Sequence, residues 1–176
     1  EATADYVPII RKEMQSFLKL LLAMTKPKRI LEVGTAVGFS SILMAEYDPV
    51  PCEIVTIENY EKRISIAREN FKRAGKEEQI TLLEGDAAEI LPTLTEPFDL
   101  IFMDIQMPKM NGYMTTREIR TLKNNKKANI PIVAMTANAF EEDKKKAFKA
   151  GMNAHVAKPI DIKTILSVFD QVFGRI

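Results

Sequence analysis

Six short apolar runs alternate with segments of helical spacing along nearly the whole chain, and this alternation constrains the fold more than any other feature. The runs lie at residues 29–33, 53–58, 79–84, 98–103, 131–135 and 154–157. Parallel strands cannot be joined by tight hairpins, so each return needs a crossover, usually a helix. Strict strand–helix alternation therefore predicts a parallel sheet covered by helices on both faces. The run at 98–103 is almost entirely apolar, as expected of a strand buried on both sides. Helical spacing is clearest at residues 6–24, through Ile10, Met14, Phe17, Leu18, Leu21 and Leu22, and at 160–173, through Ile162, Ile165, Leu166, Phe169, Val172 and Phe173. Further helices are expected from the loop after residue 33 to about residue 45, and at 61–74, 87–94, 112–123 and 141–150, with Gly75 and Gly151 as stops. No Gly/Ser/Pro-rich linker divides the chain and no repeat appears, so residues 1–176 are expected to form a single domain: an α/β, three-layer α/β/α sandwich on a six-stranded parallel sheet.

Bulk properties exclude several classes of function. A chain of 176 residues removes roughly 70% of its unfolded surface from water, enough for a real core. The net charge of +1 gives no global attraction to nucleic acid or to membrane surfaces, and neither is expected as a partner. No apolar run approaches the ~20 residues of a membrane span, and no signal peptide is visible. One cysteine, Cys52, precludes an internal disulfide and suits a reducing compartment. A Ser-His-Asp triad or a His-rich zinc site would have to be built on His155, the only histidine.

Two constellations carry chemistry. The first is EVGTAVGFS, residues 32–40, between the first strand and its helix. Glycines there let the backbone turn tightly and approach a ligand. The second strand ends in Glu58, about twenty residues on, where a carboxylate can accept from ribose hydroxyls. The third ends in Gly85-Asp86-Ala87, where a second acid can reach an adenine edge. Glycines and acids also simply finish strands of such sheets. In spacing and wording, residues 1–104 resemble the class I S-adenosylmethionine-dependent methyltransferases, especially small O-methyltransferases of the catechol and caffeoyl-CoA type. The resemblance implies S-adenosylmethionine or S-adenosylhomocysteine as a small nucleoside cofactor. Gly34 and Gly38 would let it approach, Glu58 would take the ribose and Asp86 the adenine, with Glu32, Ser40, Asn59 and Ala87 beside them. The acceptor-side strands and loops of that family are absent.

The second constellation begins in the strand that ends the first. Asp104 is followed by QMPKMNG, residues 106–112; Thr136 closes the next strand and Lys158-Pro159 follows the last. A carboxylate can accept a phosphoryl group, and a hydroxyl and an ammonium can hold its oxygens. An X-Pro bond after Lys158 is a candidate cis turn that aims the lysine. Residues 98–176 resemble the C-terminal part of response-regulator receiver domains, particularly those attached to hybrid histidine kinases. The resemblance implies Asp104 as phosphoacceptor, with Thr136 and Lys158 in support. His155 falls where that family places its aromatic switch residue, although an ordinary, partly exposed strand residue fits equally well. Receivers also hold Mg²⁺ between the phosphoacceptor and an acidic pair after the first strand. Here only Glu32 stands near that position, so tight Mg²⁺ binding is not expected and Asp104 is at most a weak metal ligand.

The strand 98–104 serves both resemblances, since each wants a buried strand ending in an acid beside the first strand. Joined there, the two halves give the sheet order 3-2-1-4-5-6, a Rossmann order. The expectation is an engineered chimera, made by recombination in the laboratory to test whether two α/β folds share exchangeable parts, without an evolved function. Residual binding of the adenosyl cofactor is its expected remnant, with no defined protein partner and a cytoplasmic location, as for both soluble families. Two alternatives stay open: a receiver module phosphorylated at Asp104, and a residual O-methyltransferase. Turnover is not expected, because the acceptor side of one family and the acidic pair of the other are missing.

Overall fold

The strands form one parallel sheet in the order β3-β2-β1-β4-β5-β6, which is the expected order. They are β1 (Arg29–Val33), β2 (Glu53–Glu58), β3 (Ile80–Glu84), β4 (Leu100–Asp104), β5 (Ile132–Thr136) and β6 (Ala154–Ala157). The description rests on a computed structural model and covers residues 12–105, 112–122, 125–136, 141–157, Val168 and Asp170.

The pleat sorts the strand residues into two apolar layers. Ile30, Leu100, Phe102 and Val133 point to one face. Leu31, Val33, Ile101, Met103, Ile132 and Ala134 point to the other. Among the described residues, the first face is covered by α1 (Lys12–Thr25), α2 (Phe39–Tyr47) and α3 (Glu61–Ala74), with Val168 buried in the same layer. The α1 stripe Met14, Phe17, Leu18, Leu21, Leu22 is wholly buried, as its spacing predicts. Lys26, in the left-handed region at φ 45°, closes α1 ahead of Pro27, and Gly75 at φ 63° closes α3 with its N–H on the Lys72 carbonyl.

The second face is covered by α4 (Ala87–Ile90) with a 3₁₀ turn (Leu91–Thr93), then α5 (Gly112–Arg120), α6 (Asn125–Ala128) and α7 (Glu141–Ala150). Here the structure departs from expectation. The helix expected over 87–94 tightens into the 3₁₀ turn where Pro92 removes a backbone donor. The helix expected over 112–123 ends at Arg120, and the separate turn α6 follows. The fourth strand starts at Leu100 because Asp99 is diverted to receive the Lys28 and Arg29 amides at 2.8 and 3.0 Å, which ties the entry of β4 to that of β1. The first turns of the 6–24 reading and most of the 160–173 helix lie outside the described residues.

Strand β4 is the hinge of the architecture. Leu31 pairs with Ile101 on one side, and Ile101 pairs with Ile132 on the other. Beyond it, the Arg120 guanidinium donates to the carbonyls of Gly151, Ala128 and Ile130 and to Asn153 Oδ1, all within 2.7–2.9 Å. Asn153 Oδ1 also receives the Ile132 amide at 3.0 Å. One side chain of α5 thus fixes the entries of β5 and β6. No helix among the described residues is long and apolar enough to cross a membrane.

Candidate functional site

The chemistry-bearing residues gather at the carboxyl ends of the strands, where the order reverses between β1 and β4 and open α/β sheets bind ligands. After β1 the chain turns sharply. The amides of Gly34 and Thr35 both donate to the Ile57 carbonyl at 3.1 Å, and Gly38 N donates to Thr35 O at 2.9 Å. Gly34, Ala36 and Gly38 all have positive φ, at 104°, 51° and 83°. Ala36 holds that uncommon conformation because its amide donates to Glu58 Oε2 at 2.8 Å.

Glu58 is buried at the end of β2, with its carboxylate on backbone amides. Oε2 receives Ala36; Oε1 receives Asn59 at 3.1 Å and Tyr60 at 3.0 Å. A carboxylate has about four lone-pair positions, so the three amides leave about one of them uncommitted. Asp86 is half-buried and caps α4, its Oδ1 receiving the Ala88 amide at 3.0 Å; Ala87 is buried beneath it, while Asn59 is exposed.

The glycines serve packing as well as turning. A β-carbon on Gly38 would lie 2.4 Å from the Phe71 ring, and one on Gly34 would lie 2.8 Å from Asp104 Cβ. The space that the sequence assigns to an approaching cofactor is, at these two positions, filled by the chain's own side chains.

Glu32 requires a correction. Its carboxylate does not face a cofactor: it is fully buried and takes three hydroxyls, Ser40 on Oε1, Ser41 on Oε2 and Thr56 on Oε2, the last at 2.8 Å. Thr56 and Thr35 share a further hydrogen bond at 2.6 Å. Ser40 is likewise buried, with its hydroxyl hydrogen on Glu32 and not directed at a ligand. Burial raises the Glu32 pKa above its ordinary value; the three hydroxyls oppose the rise, and the Asp104 charge adds to it. Sequence reading missed this cage of Ser41, Thr56 and Thr35. A signal was present: Thr56 is the one polar residue inside an apolar strand, and it pairs in register with Glu32.

Asp104 ends β4 on the same face as Phe102, half-buried, and pairs in register with Met135. It is wedged between two glycines, since a β-carbon on Gly112 would sit 2.4 Å from its carbonyl oxygen. Buried Thr136 lies one residue beyond that register, at the end of β5. The two therefore stand at the ends of adjacent strands, as expected. Lys158, Pro159 and the 106–111 segment lie outside the described residues.

The residues do not fit a receiver metal centre. Both Glu32 oxygens already accept hydroxyls, and among the described residues no group of three or more His, Cys, Asp and Glu could hold a metal ion. His155 is buried rather than partly exposed, with Nε2 lacking a hydrogen-bond partner. Burial lowers its pKa, an effect that the nearby Asp143 carboxylate opposes. Tyr113 reaches the same neighbourhood, its hydroxyl donating to the Asp143 carbonyl at 3.2 Å.

Sheet order, switch point and acid-terminated strands define a doubly wound α/β protein with its site on the carboxyl edge. The model of the response regulator receiver domain matches residues 54–170, and the chain belongs to that family. The match begins in β2, well before the 98–176 fragment expected from sequence. Curated relatives divide between two kinds. Histidine kinase 1 of Arabidopsis thaliana is 48% identical over 73 residues, covering 42% of this chain and 6% of that protein. The catechol O-methyltransferase of Niastella koreensis is 40% identical over 101 residues, covering 55% of this chain and 46% of that enzyme. The chain thus spans less than half the length of either. Among solved structures, the SAH-bound methyltransferase PaMTH1 of Podospora anserina matches with a TM-score of 0.52 and 38% identity, over 53% of this chain and 41% of its own. The O-methyltransferase of Bacillus cereus in complex with SAH gives 0.50 and 34%, over 53% and 44%. The chain is a chimera of a part similar to O-methyltransferases and a receiver domain.

Proposed function

We propose that the chain is a recombined α/β protein without an evolved function, joined at β4 and behaving as one domain, with a methyltransferase-like part over 1–104 and a receiver-like part over 98–176. Its remaining activity is weak binding of S-adenosylhomocysteine or S-adenosylmethionine at the edge of β1, β2 and β3. The observation that carries this reading is the Glu58 carboxylate. It organises the glycine loop through Ala36 and keeps about one lone-pair direction for a ribose hydroxyl. Bidentate capture of both ribose hydroxyls would displace a backbone amide, which is why the affinity is weak. Asp86 has its second oxygen for the adenine edge, and the solved methyltransferases with bound SAH support the same ligand class. Methyl transfer is not part of the proposal, because the chain spans 46% of the catechol O-methyltransferase it resembles and the acceptor-side strands of that family are not expected in its sequence, while positioning supplies much of such catalysis.

Calorimetric titration with S-adenosylhomocysteine tests the reading. Saturable heat is expected with Kd between about 10 µM and 1 mM, a binding energy of roughly 4–7 kcal/mol. It should disappear in Glu58→Ala and weaken in Asp86→Asn, with both variants checked for a cooperative melt. No heat from folded wild type would reject cofactor binding.

A second reading is favoured by the family match: phosphoryl acceptance at Asp104. Phosphoryl transfer needs a metal to neutralise developing charge, and Glu32 is enclosed by its hydroxyls. Incubation with phosphoramidate and Mg²⁺, read by intact mass, is therefore expected to leave the protein unmodified on the timescale of minutes. A phosphoryl adduct on wild type that is absent from Asp104→Ala would establish the receiver reading instead.

A further inference from the structure

A pit of about 410 Å³ opens on the second face of the sheet, at the seam between the two halves. Its floor is Leu31 of β1 and Ile101 of β4, one wall is Leu91 and Phe98, and the opposite wall is Ile119 and Ile130. Leu91 comes from the methyltransferase-like part, Phe98 from the stretch the two parts share, and Ile119 and Ile130 from the receiver-like part. The cause lies in the connection between β3 and β4. It returns across the sheet with only the single turn of α4 and a 3₁₀ turn, too short to reach α5 and close the layer. The pit lies toward the amino ends of the strands, below the edge that carries Asp104 and Thr136, because Phe98 and Ile130 precede β4 and β5.

We propose that this pit is a binding site for small uncharged aromatic molecules. Its volume falls within the ~300–1,000 Å³ typical of small-molecule sites. The six floor and wall residues just named are apolar, and all but Leu91 are buried, so the feature is a recess and not an open face for a protein partner. The lining also includes the hydroxyls of buried Thr115 and exposed Thr121 and three charged residues, of which two have partners already: Glu96 is paired with Arg29, and Lys127 Nζ donates to the Leu94 carbonyl at 2.8 Å. The third, exposed Glu118, disfavours anions. A neutral ring system loses no hydrogen bonds on entering and covers apolar surface that the short α4 leaves uncovered.

The test uses N-phenyl-1-naphthylamine, an uncharged dye whose fluorescence rises in apolar surroundings. The chain has no tryptophan, so the signal is clean. Saturable enhancement at one dye per chain is expected, unchanged by saturating S-adenosylhomocysteine, which separates this site from the nucleoside edge. Ala88→Phe places a ring into the pit from α4 and should weaken binding roughly tenfold or more, about 1.4 kcal/mol or above. Leu122→Glu, at a rim position 39% exposed and so tolerant of charge, should weaken it similarly. Ile66→Ala, exposed on α3 across the sheet, should have no effect. Absence of saturable enhancement from a cooperatively melting wild type, or enhancement that both rim and filling variants leave intact, would overturn the proposal.

Discussion

Glu32→Ala is expected to lower stability by about 3 kcal/mol or more, because it leaves buried hydroxyls of Ser40, Ser41 and Thr56 without their acceptor and opens a cavity under β1. For a chain of this size that corresponds to a fall in Tm of about 6–12 °C. Urea denaturation is the measurement, and a loss below about 0.5 kcal/mol, the range of ordinary surface changes, would remove Glu32 from the structural role assigned to it. The pH dependence gives an independent check. The folded pKa of Glu32 is raised above the ordinary 4.5, so the native state retains this proton where the unfolded chain has lost it. The resulting contribution is fully present below the unfolded value and is lost as pH rises through the folded one. Wild type should therefore lose stability relative to Glu32→Gln across that interval, and parallel curves for the two proteins would contradict the buried-acid argument.

Gly38→Ala is expected to be as damaging, at about 3 kcal/mol, from two separable causes. The backbone at φ 83° costs an L-residue about 1–2 kcal/mol. The added carbon would then meet the Phe71 ring at 2.4 Å, an overpacking penalty of about 1–3 kcal/mol. Pairing it with Phe71→Leu should remove most of the second cost and little of the first, so the two substitutions should be strongly non-additive in a double-mutant cycle. Additive effects would mean that the glycine answers to the turn alone. The point bears on function, since a glycine held by internal packing says less about a ligand than one facing an empty cleft.

The same distinction separates what each level of structure decided. Alternation of apolar runs and helical stripes was enough to give six parallel strands. The acids Glu58 and Asp104 could be placed at strand ends because they close those runs, whereas Asp86 lies two residues beyond β3 and caps α4. The strand 98–104 drew both resemblances because its apolar core and terminal acid suit either family, and the join proposed there rests on that. These features are local or periodic, and period is what a chain carries in its own order. The direction in which a carboxylate points, and what it touches, depends on residues far along the chain. Glu32 reads as a ligand candidate until register brings Thr56 beside it and α2 lowers Ser40 and Ser41 onto it. His155 reads as half-exposed until it is enclosed within the packed sheet. The pit at the seam appears in no stretch of sequence, because its walls meet only when α4 proves one turn long and α5 packs beyond its reach. Sequence alone determined the sheet and its edge. Only tertiary packing decided which acids remain open to a ligand, since each buried polar group takes whatever partner the fold brings within hydrogen-bond reach.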